Sequence, residues 1–168
     1  MSELFFNIES SAPIKGYWRE DYKDFPYVVR IAWYMDAERV FDILPEPDGF
    51  PFEVVVKEFL ADCKRAERLI GHNTYFEISS VKAQILRTLG EGFYEVFGVG
   101  EALDKSKRVD LMHNAMKWTD ARAQNGRLKA PSLDDLFSRC YPNEKYENRL
   151  NAVIRCYDYL QSNGILSK

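Results

Sequence analysis

Apolar residues recur along this chain with two different spacings, and the order of the two predicts the fold. Residues 3–9 (ELFFNIE) are nearly continuously apolar up to Ile8, the pattern of a buried strand. Residues 10–26 carry Pro13, Gly16 and Pro26 and predict a loop. Residues 27–36 (YVVRIAWYMD) are β-branched and aromatic and predict a second strand; 38–44 (ERVFDIL) alternate like its hairpin partner. The Pro/Gly-rich stretch 45–51 breaks the chain. From residue 52 to about 66 the period changes: Val55, Val56, Phe59 and Leu60 fall at helical spacing. A short strand (67–71) and another helix (74–89) follow, then a Gly-broken helix-loop over 90–107. Residues 108–118 predict a strand running into a helix, 119–131 a polar loop, and 132–139 and 146–162 two helices, the last stopped by Gly164. Hairpin strands followed by alternating helices and strands predict an α/β domain with a mixed sheet.

Composition narrows this reading. At 168 residues and 46% hydrophobic, residues 1–168 fit one domain with one real core. The net charge of −3 lacks the basic excess of many nucleic-acid binders, although a local groove can be basic on an acidic protein. Cys63, Cys140 and Cys156 form no CxxC pair, which points away from zinc and disulfides and toward idle thiols in a reducing cytoplasm. The N-terminus enters a strand with no basic segment and no long apolar run, so neither a signal peptide nor a membrane span is expected.

The first strand ends in Asn7-x-Glu9. Side chains two apart leave one face of a strand together. Two carboxylates so placed hold a divalent ion; an amide and a carboxylate hold it far more weakly.

Four segments together resemble the DnaQ-like, DEDDh-type 3′–5′ exonucleases of the ribonuclease-H-like fold. FFNIES is similar to that family's Phe-Asp-x-Glu-Thr strand, and LIGHNTYFE (69–77) to its Gly-His-Asn-x-x-Phe-Asp. RVDLM (108–112) is similar to a strand that often reads Asp-Thr-Met. LKAPSLDDLF with YENRLNAV resembles its Pro-x-Leu-x-x-Leu segment and closing His-x-Ala-Leu-x-Asp-Val helix. The resemblance implies a mixed five-stranded sheet flanked by helices. It also implies four carboxylates holding two metal ions, with a histidine as general base. Carried over, the metal positions fall on Asn7, Glu9, Glu77 and Ala152, and the base position on Glu147. Only Glu9 matches the family. The His-Gly-Ile loop usual after the third strand is replaced by ILPEPDGFPFE, which passes almost directly into a helix.

Structural roles compete at several positions. Thr74-x-x-Glu77 fits a capping box. Glu147 suits the first turn of the last helix, where a carboxylate favours the dipole. His72 suits a strand end, His113 a helix surface and Asp134-Asp135 a helix start. Trp18 and Tyr22, in the aromatic and charged loop 15–27, are candidates for stacking single-stranded bases, with His72 and Asn73 as further nucleic-acid contacts. Lys105, Lys107, Arg108, Arg122, Arg127 and Lys129 are either a phosphate track or scattered solvated charge.

Two functional expectations result. One is a pseudo-exonuclease that binds single-stranded nucleic acid or a protein partner, with Mg²⁺ or Mn²⁺ weakly held or absent. The other is an active divalent-metal-dependent 3′–5′ exonuclease on single-stranded DNA or RNA ends that uses Glu9, Glu77 and Glu147.

Overall fold

The computed structural model describes residues 2–12, 25–43 and 48–166. Within these residues, five strands form one sheet: β1 (Glu3–Ser10), β2 (Val28–Tyr34), β3 (Glu38–Asp42), β4 (Arg68–Gly71) and β5 (Arg108–Asp110). Their order is β3-β2-β1-β4-β5. The hairpin strands pair antiparallel on one side of β1, while β4 and β5 continue the sheet in parallel on the other. Among the described residues, seven helices flank the sheet: α1 (Phe52–Arg65), α2 (Thr74–Thr88), α3 (Gly90–Val96), α4 (Val99–Ala102), α5 (Leu111–Thr119), α6 (Leu133–Cys140) and α7 (Arg149–Ser162). This mixed α/β sheet accords with a ribonuclease-H-like arrangement.

The central strand is apolar on both faces because both are covered. Leu4, Phe6 and Ile8 enter a core with α1, α2 and α4, where Trp33 and Phe59 meet edge to face at 5.4 Å. Phe5 points the other way, into a core with α5, α6 and α7, and meets Tyr157 at 5.2 Å. Two buried polar side chains in this framework find partners, as burial favours. The Trp33 indole N–H donates to Asp62 at 2.8 Å, and Gln84 accepts from the Val28 N–H at 2.7 Å.

Local chemistry sets the helix ends. Ser132 and Asp135 form a reciprocal capping box on α6, so Asp134 and Asp135 are a helix start. Asn148 caps α7 by accepting from the Asn151 N–H at 2.8 Å. The last helix therefore begins at Arg149, three residues later than the sequence pattern predicts. The 90–107 region resolves into α3, α4 and a 3₁₀ turn over Lys105–Lys107, with Gly98 at φ 54° between the first two. Among the described residues, no helix is long and apolar enough to cross a membrane.

Candidate functional site

A cleft of about 490 Å³ opens where the parallel strands β1 and β4 end. Open α/β sheets place ligands at such carboxyl ends. Asn7, Ile8, Glu9 and Ser10 form one wall, and His72, Asn73, Phe76 and Glu77 another. Ser132, Leu133 and Arg149 close it from the second helical layer. The pairing of β1 with β2 shifts register between Glu9 and Ser10, a bulge that bends the strand end at the cleft. Helices α2, α6 and α7 all begin at this rim.

The resemblance to metal-dependent nucleases assigns Asn7 and Glu77 as ligands, and the two hold each other. The Asn7 amide donates to Glu77 Oε1 at 3.0 Å, and the Ile8 N–H donates to the same oxygen at 3.0 Å. Oε2 is buried with no hydrogen-bond partner among the described residues. Gly71 makes room for it, since a Cβ there would lie 2.9 Å away. Burial raises the Glu77 carboxyl well above its ordinary range, against the lowering effect of the two donors. The capping-box role for Glu77 does not hold. Thr74 is already helical, Asn73 is the cap residue at φ 65°, and Glu77 reaches inward instead of back along the helix.

Glu9 sits beside Arg30 at 3.6 Å, and Arg30 also pairs with Asp42 at 2.7 Å. The three residues are cross-strand neighbours in register, so the sheet itself aligns this row. The Pro131 carbonyl accepts from His72 Nε2 at 3.0 Å. Burial lowers the His72 pKa, so a neutral ring with its proton on Nε2 stands at the strand end. Arg149 is exposed on the first turn of α7, and its charge is felt by both Glu77 and His72.

The structure thus brings Asn7, Glu9, Glu77, His72 and Asn73 to one cleft, and leaves two assigned positions off its lining. Glu147 is exposed, ahead of α7 rather than in its first turn. Ala152 is fully buried in the core beneath α7. Trp18 and Tyr22 lie outside the described residues. Among the described residues, no three His, Cys, Asp or Glu side chains are grouped as an ion's ligands would be.

Sequence reasoning missed two residues that shape the site. Arg149 carried no motif signal beyond lying in YENRLNAV. Asp110 lies within RVDLM, and its carboxylate joins two helix starts. It accepts from the Asn73 and Thr74 N–H groups at 3.1 and 2.8 Å and from the Thr74 hydroxyl at 3.1 Å. It also caps α5 through the His113 N–H at 3.3 Å. Asp110→Ala is expected to lower stability by about 2 kcal/mol, as two caps are lost at once. Urea unfolding checks this, and a loss below about 0.5 kcal/mol would contradict a shared cap of this kind.

No protein-family model matches the chain, and no curated protein matches it.

Proposed function

We propose that this protein is a relative of the DnaQ-like exonucleases whose cleft binds an end of single-stranded nucleic acid without divalent ions. Arg149 at the cleft is the observation that carries this reading. An arginine there offers a planar, permanently charged fork to a phosphate. The starts of α2, α6 and α7 add the positive ends of three helix dipoles, that of α2 partly offset by Asp110. The acidic side chains oppose this field weakly, because Glu77 is held toward its neutral form by burial and Glu9 is beside Arg30.

The same residues do not fit a pair of divalent ions. Such ions need several anionic oxygens close together. Here the Asn7 amide and one Glu77 oxygen are engaged with each other, and Ala152 offers no donor. The Arg149 guanidinium brings positive charge to the cleft that ions would enter.

Fluorescence anisotropy with short labelled single-stranded DNA and RNA, in chelator, tests the reading. Binding is expected to persist without metal and to weaken as salt rises. Arg149→Glu is expected to weaken it by about 10- to 100-fold, the scale of a lost charge-assisted contact. Metal-dependent cleavage that disappears in Glu9→Ala would instead establish an active exonuclease. Absence of binding to either polymer would overturn the nucleic-acid role.

A further inference from the structure

We infer that Cys140 and Cys156 form a redox modification site, at which a hydroperoxide converts the two thiols into a disulfide that fastens α6 to α7. This site does not depend on the function proposed for the cleft. No CxxC spacing links the two cysteines in the sequence. Helix packing brings them together instead. Cys140 is the last residue of α6, and Cys156 lies midway along α7. Both belong to the core that α5, α6 and α7 form with the sheet. The residues next to them clamp the two helices. The Tyr141 hydroxyl donates to the Arg155 carbonyl at 3.1 Å, and the Arg155 guanidinium lies over the Tyr141 ring, 4.2 Å from its centre. Beside this clamp the Cys156 thiol donates a hydrogen bond to the Cys140 sulfur.

The two sulfurs are suited to different steps. Cys140 is 5% exposed, whereas Cys156 is fully buried. The hydrogen bond from Cys156 favours the Cys140 thiolate and lowers its pKa, against the raising effect of burial. The same bond, and then burial, raise the pKa of Cys156. Thiolate is the nucleophilic form of cysteine, so Cys140 attacks first and Cys156 resolves. An accessible, low-pKa thiol beside a resolving cysteine is the arrangement of a reversible peroxide sensor. Cys63 is the contrast. It is fully buried in the core on the other face of the sheet, and burial raises its pKa.

The chemistry balances in two steps. The Cys140 thiolate attacks one oxygen of the hydroperoxide. An S–O bond forms, the O–O bond breaks, and the other oxygen leaves and takes a proton. Cys140 is then a sulfenic acid. Cys156 gives up its proton as its sulfur attacks the Cys140 sulfur. The S–S bond forms, the S–O bond breaks, and hydroxide leaves to become water. The two thiols together lose two electrons, and the peroxide gains them. In a reducing compartment such a bond is transient and serves sensing. Both helices that it joins start at the rim of the cleft.

Peptide mapping of the full chain, reduced and then treated with hydrogen peroxide, tests this inference. A disulfide joining Cys140 to Cys156 within one chain is expected, with Cys63 still alkylated as a free thiol, and dithiothreitol should restore both thiols. The oxidised protein should melt about 5 °C higher, because the bond restricts the unfolded chain. Cys156→Ser should halt the reaction at a sulfenic acid that dimedone traps on Cys140. Cys140→Ser should leave Cys156 without adduct. Should either variant fail to fold, a brief peroxide pulse of the parent protein in dimedone reads the same order, with the adduct on Cys140 and none on Cys63. Thiols that all stay free, a disulfide that uses Cys63 or joins two chains, an adduct that appears first on Cys156 or Cys63, or an oxidised form that melts no higher would overturn the site.

Discussion

Glu77→Gln is expected to be more stable than the parent protein at neutral and alkaline pH, and to lose that advantage below about pH 4. The glutamate carboxyl is fully enclosed, with one oxygen held by Asn7 and Ile8 and the other unpartnered against Gly71 and Phe6. Desolvation raises its folded pKa well above the ordinary value. The sign follows directly. With the folded value raised, the folded state binds this proton more tightly than the unfolded state. The associated stability is present below the unfolded pKa, about 4.3, and is lost as pH rises toward and through the raised folded pKa. The rate of loss is at most about 1.4 kcal/mol per pH unit across that window. Glutamine keeps an oxygen for both donors and has no proton to release, so its stability should lack this slope. Chemical unfolding of both proteins from acid to mildly alkaline pH measures the difference. A parent protein that gains stability relative to Glu77→Gln as pH rises would show an ionised, well-compensated carboxylate and sink this account.

The sheet was legible in the sequence because its strands differ in pattern. β1 is apolar on both faces, and the hairpin strands are bounded by Pro and Gly. The grouping of Asn7, Glu9 and Glu77 was legible too. Period-2 geometry puts Asn7 and Glu9 on one face, and GHNTYFE places Glu77 on the helix that follows the neighbouring strand. What could not be read depends on contacts far apart in sequence or on the phase of a helix. Thr74-x-x-Glu77 matches the capping pattern, but the acceptor for the Thr74 N–H comes from Asp110 across the sheet. That frees Glu77 to turn inward. The closing helix begins only after Asn148 caps it, which leaves Glu147 outside, Arg149 at the cleft and Ala152 in the core. Parallel register also sets the start of β4 at Arg68 beside the start of β5 at Arg108, and no local pattern announces that pairing.

Gly71→Ala is expected to destabilise the protein by about 3 kcal/mol, the upper end of overpacking costs in a well-packed interior. Gly71 ends β4 beside Asp110 of β5 and lies under the start of α2. A Cβ at this position would meet Glu77 Oε2 and Phe6 Cζ, both at 2.9 Å, and Phe6 Cε1 at 3.1 Å. Neither neighbour can yield easily. Phe6 is fully buried and packs on Phe59 with ring centres 6.0 Å apart. Glu77 is anchored through its other oxygen by two hydrogen bonds. A double-mutant cycle separates the two clashes. In a Glu77→Ala background the carboxylate contact is gone and only the Phe6 contact remains. The cost of Gly71→Ala should then fall by about 1 kcal/mol or more, the coupling expected of residues in direct contact. The same substitution should also perturb oligonucleotide binding, because moving Glu77 moves Asn7 at the cleft wall. Thermal and urea unfolding of the four proteins give the coupling directly. An equal cost in both backgrounds would mean that Glu77 does not pack against Gly71 as described, and a negligible cost in the parent would remove the steric reason for glycine at this position.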